Sequence, residues 1–379
     1  MTAMLSAEEF ARLTARYDPD PGRSHSLGAH SYIDPRYLEI EREAIFYRTW
    51  QWVCHIERLR EPGDYVVTEV QGRSIAVVHD RNGVLRAFYN VCKHRAHHLL
   101  SGHGRTNVIL CPYHAWSYDL EGRLRAAPNT GQLENFDKRE ICLESVQVEA
   151  FCGFVYVNLD PKAPSLAGQS GDLAKEIMAF APDVEQLTLA RRLTFRMQSN
   201  WKNVIDNFLE CYHCPHAHKD LCSLVDMDSY KVTTHGIYSS QMAKANKQPN
   251  SAYSIEGATV DDLAVWWLWP NTCLLRYPGR GNFQVMHIAP ISADCTYETY
   301  DFYFETAVAT PQEEETIAYV RDVLQKEDID LVESVQRGMA TPAFESGRIV
   351  NNPSGSGKSE HGVHHFHGLM IDAYRRALA

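Results

Sequence analysis

The stretch Val91–Arg95, VCKHR, sets Cys92 and His94 one residue apart, and CPYHAW, starting at Cys111, repeats the pairing with Cys111 and His114. The whole unit reads C-x-H, sixteen residues, then C-x-x-H. Taken singly, a cysteine or histidine is more often a packing residue than a ligand. Two mixed pairs at this separation, bordered by His103-Gly104 and Gly122, ask for a common partner.

Three readings compete. Structural zinc accepts two thiolates and two imidazoles, but its usual spacings are C-x2-4-C and H-x3-5-H, whereas here each half supplies one residue of each type. Packing without metal leaves the loop-like surroundings of both pairs unexplained. A Rieske [2Fe–2S] centre holds one iron by two cysteines and the other by two histidines, so it needs one Cys and one His from each of two neighbouring loops. The spacing favours this third reading, with Tyr113, Trp116 and Ser117 expected to shield or hydrogen-bond the cluster.

Around this unit the chain changes character. SAEEFARLTARY opens with a serine cap and early acids, and YLEIEREAIFYRTWQWV continues in helical period. From about residue 62, DYVVTEV, RSIAVVHD and VLRAFYNV are short β-rich runs separated by QG and RNG turns, and GFVYVNLD closes the region. PKAPSLAGQSG reads as a linker. Helical sequence follows, interrupted by the strand-like RRLTFRMQ. Residues 225–305 alternate aromatic and polar side chains as antiparallel strands do, and 310–339 reads as one long helix capped by Thr310 with Pro311 in its first turn. GVHHFHGLMIDAYRRAL reads as a last helix. The expected class is α+β: an N-terminal helical segment (1–45) packing on the catalytic domain, a β-rich cluster domain (46–160), and a catalytic domain (161–379) whose antiparallel sheet is flanked by helices.

The 379 residues are 44% hydrophobic and 22% charged, enough to bury a core and unlike a disordered chain. A net charge of −11 without a basic block argues against nucleic acid as a partner. No apolar run reaches the roughly 18 residues of a membrane span, and no secretory signal is visible, so a cytoplasmic, non-membrane protein is expected. In a reducing compartment the ten cysteines should be thiols or metal ligands, and Cys54, Cys142, Cys152, Cys222, Cys273 and Cys295 read as core thiols.

A Rieske centre alone only carries electrons. NWKNVIDNFLECYHCPHAHKDL adds Glu210, His213 and His218 as E-x-x-H-x4-H. On a regular helix His213 and His218 would diverge by about 140°, so the helix should break between them, with Pro215 as the breaker. Two histidines and one carboxylate on one face of an octahedron bind non-haem Fe(II) and leave positions open. KEDIDLVESVQ offers Glu327, Asp328, Asp330 and Glu333 for the carboxylate, of which Asp328 is selected.

In this order the two motifs resemble the α-subunit of the Rieske non-haem iron, ring-hydroxylating oxygenases. The resemblance runs over essentially the whole chain. There a carboxylate-x-x-H-x4-H supplies two ligands, and a later Asp, a few residues before Glu-Ser/Thr, supplies the third. Asp328 ahead of Glu333-Ser334 matches, with Asp330 as the alternative. NWK, DNFLECYHC, EDIDLVESVQRG and SEHGVHHF are most similar to the branch that oxidises carnitine, choline and glycine betaine. The resemblance implies a [2Fe–2S] cluster and a mononuclear Fe(II), a separate flavin/iron–sulfur reductase as electron donor, O2 and a small-molecule substrate as reactants, and a homotrimer. It also implies that Glu210 bridges His213 to the cluster ligand of the next subunit, expected to be His114. Asp206, seven before His213, stands where ring-dihydroxylating members usually carry Asn; it is expected near the site and argues against naphthalene-type chemistry.

For substrate, an aromatic cage suited to a trimethylammonium group is sought in Trp266, Trp267, Trp269, Tyr277 and Phe283, with Arg276 or Arg280 for a substrate carboxylate. A related oxygenase acting on an aromatic acid or ether, and a Rieske electron carrier without catalytic iron, are the rival functions. PSGSGKSE lacks the glycine of a phosphate loop and reads as a mobile or lid-like loop. His361, His364, His365 and His367 are expected to cap or pack the last helix, and Cys211 and Cys214 merely flank His213.

Overall fold

The computed structural model describes residues 4–246 and 260–378. Residues 247–259, within the stretch expected to form antiparallel sheet, lie outside that description, as do the first three residues of the N-terminal segment and residue 379. The chain is α+β and divides into two units, residues 46–168 and residues 1–45 with 169–379. The second break lies beyond the expected 160/161 boundary because the linker is tied down. Glu149 accepts hydrogen bonds from Leu166 N and Ala167 N at 2.7 and 2.8 Å, and Trp50 Nε1 donates to Pro164 O at 3.1 Å.

Residues 46–168 carry a seven-stranded antiparallel sheet in the order Gln51–His55, Phe154–Asn158, Ser145–Phe151, Leu85–Tyr89, Arg73–His79, Asp64–Val70, His103–Arg105. Two of its hairpins close on two-residue turns with both φ positive, Gln71-Gly72 (45°, 84°) and Cys152-Gly153 (48°, 79°). That twist matches the right-handed twist of the strands. A smaller sheet of Ile109–Leu110, Ser117–Tyr118 and Leu124–Ala126 holds the second metal-ligand loop. Val77, Val155 and Val157 are fully buried in one core; Cys92, Cys111, Trp116 and Tyr118 belong to another. Gln51–His55 is strand, not the continuation of a helix, because Gln51, Trp52, Cys54 and His55 pair with Val157, Tyr156, Val155 and Phe154 around a bulge at Val53.

The other unit is built on a second seven-stranded antiparallel sheet, in the order Thr188–Met197, Cys295–Phe304, Asn282–Ser292, Thr272–Arg276, Asp262–Leu268, Tyr238–Lys244, Lys231–His235. Its central strands are buried along nearly their whole length. Successive residues of a strand point to opposite faces. Trp266 therefore lies against the helix Leu173–Phe180, 5.9 Å from Phe180, while Trp267 lies against the helix His361–Arg376, 5.5 Å from Phe366.

The N-terminal segment is welded into this unit. Buried Glu41 accepts from Trp201 Nε1 (2.7 Å), Lys202 Nζ (2.5 Å) and the Tyr374 hydroxyl. Such a pair is tolerable in the interior because the charges are paired and hydrogen-bonded. The helix expected over 310–339 is in three parts: Pro311–Tyr319 behind a Thr310/Glu313 capping box, a π-helical turn Val320–Leu324, and Gln325–Met339.

Three further expectations are corrected. Cys211 and Cys214 form a disulfide, their Cα atoms 4.9 Å apart, because the chain folds back between two helices there. Cys142 is exposed and Cys152 and Cys222 are half-buried, so only Cys54, Cys273 and Cys295 of the six are core thiols. The 353–360 loop is no free lid. Gly355 O accepts from Val232 N, Gly357 donates to Tyr230 O, and Cys211 N donates to Gly357 O at 3.0 Å. A Cβ on Gly357 would meet Tyr230 Cδ1 at 2.5 Å, so this approach requires glycine.

Candidate metal centres and substrate cavity

The two Cys/His loops are built alike. In each, the residue four beyond the cysteine returns its N–H to the cysteine carbonyl, Ala96 to Cys92 and Ala115 to Cys111, both at 3.0 Å. Both alanines take left-handed backbone, φ 57° and 58°. Non-glycine residues rarely adopt that conformation and hold it where surrounding structure imposes it, often at functional sites. Cys92 and Cys111 are 2% exposed, whereas His94 is exposed and His114 half-buried, so the sulfur side faces inward. The imidazoles approach to 4.6 Å between ring centres. Nδ1 of His114 is buried without a hydrogen-bond partner, as a nitrogen awaiting a metal would be.

Trp116 stacks on His94 at 4.8 Å and Tyr113 covers His114 at 3.8 Å. Tyr118, rather than the expected Ser117, reaches a ligand: its hydroxyl lies 3.3 Å from Cys92 Sγ and accepts from Lys93 N.

The second constellation closes around one point. Among the described residues His213, His218 and Asp328 offer ligand atoms that all lie within 4.8 Å of one another. The two Nε2 atoms are 3.1 Å apart, and Asp328 Oδ1 stands 2.9 Å from His218 Nε2 and 3.7 Å from His213 Nε2. The break that permits this differs from expectation. The helix Trp201–Phe208, capped by Asn200, ends before Glu210, and Pro215 opens a separate short helix, Cys214–Ala217. Proline suits a first turn, where its missing N–H costs nothing.

On the opposing helix Gln325, Asp328 and Val332 share one face towards the cavity. Glu327 instead takes His218 Nδ1 at 2.8 Å, which fixes the ring and its tautomer. Asp330 is exposed, and Glu333 accepts from Gln198 N. Burial pushes the pKa of His218 down, but the hydrogen bonds and charges of Asp328 and Glu327 outweigh it and push it up to about 9. The fit to a divalent metal lies in the donor set: two imidazoles and a carboxylate offer ligand atoms around one point.

Glu210 Oε1 lies 2.5 Å from His213 Nδ1, and Oε2 accepts from Tyr212 N and His213 N. Asp206 touches neither imidazole ligand; it accepts from the Tyr32 hydroxyl at 2.8 Å and sits 3.0 Å from His367 Nε2. The remaining C-terminal histidines hold the last helix. Nε2 of His361, His364 and His365 lies 2.9, 2.8 and 3.1 Å from the carbonyls of Val232, Asp18 and Gly236.

A cavity of about 110 Å³ opens at His218 and Asp328. Of the residues expected to bind substrate, Tyr277 lines it; burial pushes its pKa to about 12, so it stays a neutral phenol. Trp266 and Phe283 stack on each other at 6.3 Å on the other face of the sheet, and Trp269 packs on Trp267 and Phe366. Arg276 is spent on the carbonyls of Phe180, Tyr277 and Gly279, and Arg280 is exposed near Glu305. The aromatic walls are instead Phe208, Tyr230 and Tyr300, with Glu298 among them. A signal existed: in TYETYDFYF the same-face series is Glu298, Tyr300, Phe302, a charge on an otherwise aromatic face.

Comparison with known proteins agrees with this geometry. Residues 49–137 match the Rieske [2Fe–2S] domain family and residues 184–376 the ring-hydroxylating α-subunit catalytic domain. The chain is 40% identical over 365 residues to the carnitine monooxygenase oxygenase subunit of Escherichia coli K12, covering 96% of this chain and 97% of that one. It is 32% identical to the chloroplastic choline monooxygenase of Beta vulgaris, covering 94% and 79%. The structure of the quaternary ammonium Rieske monooxygenase CntA with L-carnitine superposes with a TM-score of 0.86 at 35% identity, over 94% of this chain and 98% of that one. The chain belongs to the Rieske non-haem iron oxygenase family, as a ring-hydroxylating-type α-subunit with a [2Fe–2S] cluster and a mononuclear iron.

Proposed function

We propose that this chain is the oxygenase component of a multicomponent monooxygenase that oxidises a quaternary amine of the carnitine, betaine or choline type. The observation that carries the reading is the cavity beside His218 and Asp328: its lining has aromatic rings and the carboxylates of Glu210, Glu298 and Asp328, and among the described residues no lysine or arginine. An aromatic, acidic space favours a cation that cannot donate hydrogen bonds, where a benzoate would call for a basic residue. The kinship to carnitine and choline monooxygenases points the same way.

In this reading Cys92, His94, Cys111 and His114 hold the cluster, and His213, His218 and Asp328 hold the iron. When bound, the cluster stores and delivers single electrons and the iron activates dioxygen. With two electrons from the reductase and two protons, one oxygen atom of O2 would enter a C–H bond next to nitrogen and the other leave as water; the resulting carbinol would collapse to an aldehyde, a free tertiary amine and a proton.

Glu210 keeps the His213 ring in place by accepting at Nδ1. A carboxylate has about four acceptor positions; three are occupied within this chain. The fourth is left for an imidazole N–H of a second subunit, which fits a homotrimer passing electrons between chains. Glu327 fixes His218 in the same way. A separate flavin/iron–sulfur reductase supplies the electrons. No helix among the described residues is long and apolar enough to cross a membrane. Eight cysteines are free beside the one Cys211–Cys214 disulfide, and this predominance of thiols supports a reading as a cytoplasmic protein.

The test is NADH and O2 consumption by the purified protein with a reductase, comparing carnitine, choline, glycine betaine and benzoates. Coupled turnover with a trimethylammonium compound, releasing trimethylamine or formaldehyde, is expected; coupled turnover of benzoates alone would overturn the reading.

A further inference from the structure

One group in the cavity has no role in holding either metal. Glu298 is 1% exposed, and both its carboxylate oxygens are buried without a hydrogen-bond partner among the described residues. It stands outside the metal-gathering set. Asp328 is matched by His218 and Glu210 by His213, but among the described residues the lining of the cavity offers Glu298 no lysine or arginine. Burial pushes its pKa up. An ionised carboxylate in this position is costly unless a cation joins it.

The side chain comes from the strand Cys295–Phe304, two residues from Tyr300 on the same face. Tyr277, Tyr230 and Phe208 complete the surroundings. Ring faces attract a cation, and a carboxylate free of N–H and O–H donors has its lone pairs open to one. A trimethylammonium group makes no hydrogen bonds, so it loses little on entering a space that offers few.

We propose that Glu298 is the anionic counterpart of the substrate's quaternary ammonium group, and that its charge, set against Tyr277 and Tyr300, selects a permanent cation over a neutral molecule of the same shape. This rests on the quaternary-amine reading of the cavity. It adds a specificity-determining residue on the floor of the sheet, apart from the metal ligands.

The test is calorimetric binding to the holoenzyme of carnitine, choline and glycine betaine, and of the tert-butyl analogue of whichever binds, in which carbon replaces the charged nitrogen. Wild type is expected to prefer the cation by at least ~30-fold, about 2 kcal/mol at 1.4 kcal/mol per tenfold. Glu298→Gln, close in volume but uncharged, should weaken the cation by ~30-fold and leave the tert-butyl analogue within about twofold, with the visible cluster spectrum retained. Glu298→Asp should keep the preference for the cation.

Equal loss for both ligands, or no loss for the cation, overturns the assignment while leaving the quaternary-amine reading intact. Equal affinity of wild type for the cation and its neutral analogue does the same without any variant. If wild type neither binds nor oxidises any trimethylammonium compound, both readings fall.

Discussion

The two metal centres are assembled in opposite ways. The cluster loops draw Cys92, His94, Cys111 and His114 from one small domain, each loop closing on itself through its own four-residue turn. The iron site draws His213 and His218 from a broken helical segment and Asp328 from a helix over a hundred residues later, after a π-helical turn that sets its phase. A self-contained loop depends on local backbone geometry. A site gathered from afar depends on packing, and here the buried links between Gln336 and Asn200 (2.9 Å) and Asn203 (2.8 Å) hold its two helices in register.

The difference implies that the centres fail separately. Cys111→Ser should remove the visible absorbance of the cluster, lower iron from roughly three to roughly one per chain, and abolish turnover. His213→Ala should do the reverse: the visible spectrum persists, about one iron is lost, and oxygenation stops. Loss of the cluster spectrum in His213→Ala would show that the two centres are not independent. Glu210→Gln should retain both metals and lower turnover by about 100-fold, since a ligand-orienting partner is worth roughly 10–100-fold; near-normal turnover would remove its role between centres.

Within the catalytic unit the comparison becomes one of two sheet regions. Tyr277→Leu should raise KM for a quaternary amine about tenfold, the scale of one desolvated cation–π contact of about 1–2 kcal/mol. Trp269→Leu should leave KM nearly unchanged while lowering the melting temperature, because its ring packs on Phe366 and not in the cavity.

A smaller effect is in pH. Burial, and then Arg192, push the pKa of His287 down to about 4 from the ordinary 6.5. Between those values the unfolded chain binds a proton that the folded chain does not, so stability falls as pH drops through that window. His287→Gln should flatten this acid limb in calorimetric melting of the catalytic unit; an unchanged limb would assign it to other groups.

The cluster loops were legible because both ligand pairs are local and the chemistry admits few residue types. Even there the hydroxyl beside Cys92 Sγ belongs to Tyr118 and not to Ser117, because strand direction decides which neighbour turns inward. His213, His218 and Asp328 are brought together as their spacing leads one to expect, but the helix break lies elsewhere, because Pro215 alone does not say whether it ends a helix or begins one. The substrate residues were the least legible. Trp266, Trp269 and Phe283 are as aromatic as Tyr277, and composition does not tell which side of a buried strand faces a cavity. Glu298 was missed because an acidic residue in a tyrosine-rich strand reads as solvent-facing until both faces are known to be covered.

By itself the sequence determined the α+β class, the two kinds of metal centre and the residue types that hold them, since metal chemistry restricts ligands more tightly than folding does. Only the tertiary structure decided where the helix breaks, which tyrosines face the iron site and that a carboxylate lies unpaired beside them. Those properties depend on strand parity, helix phase and burial, which long-range packing sets and no short stretch of sequence contains.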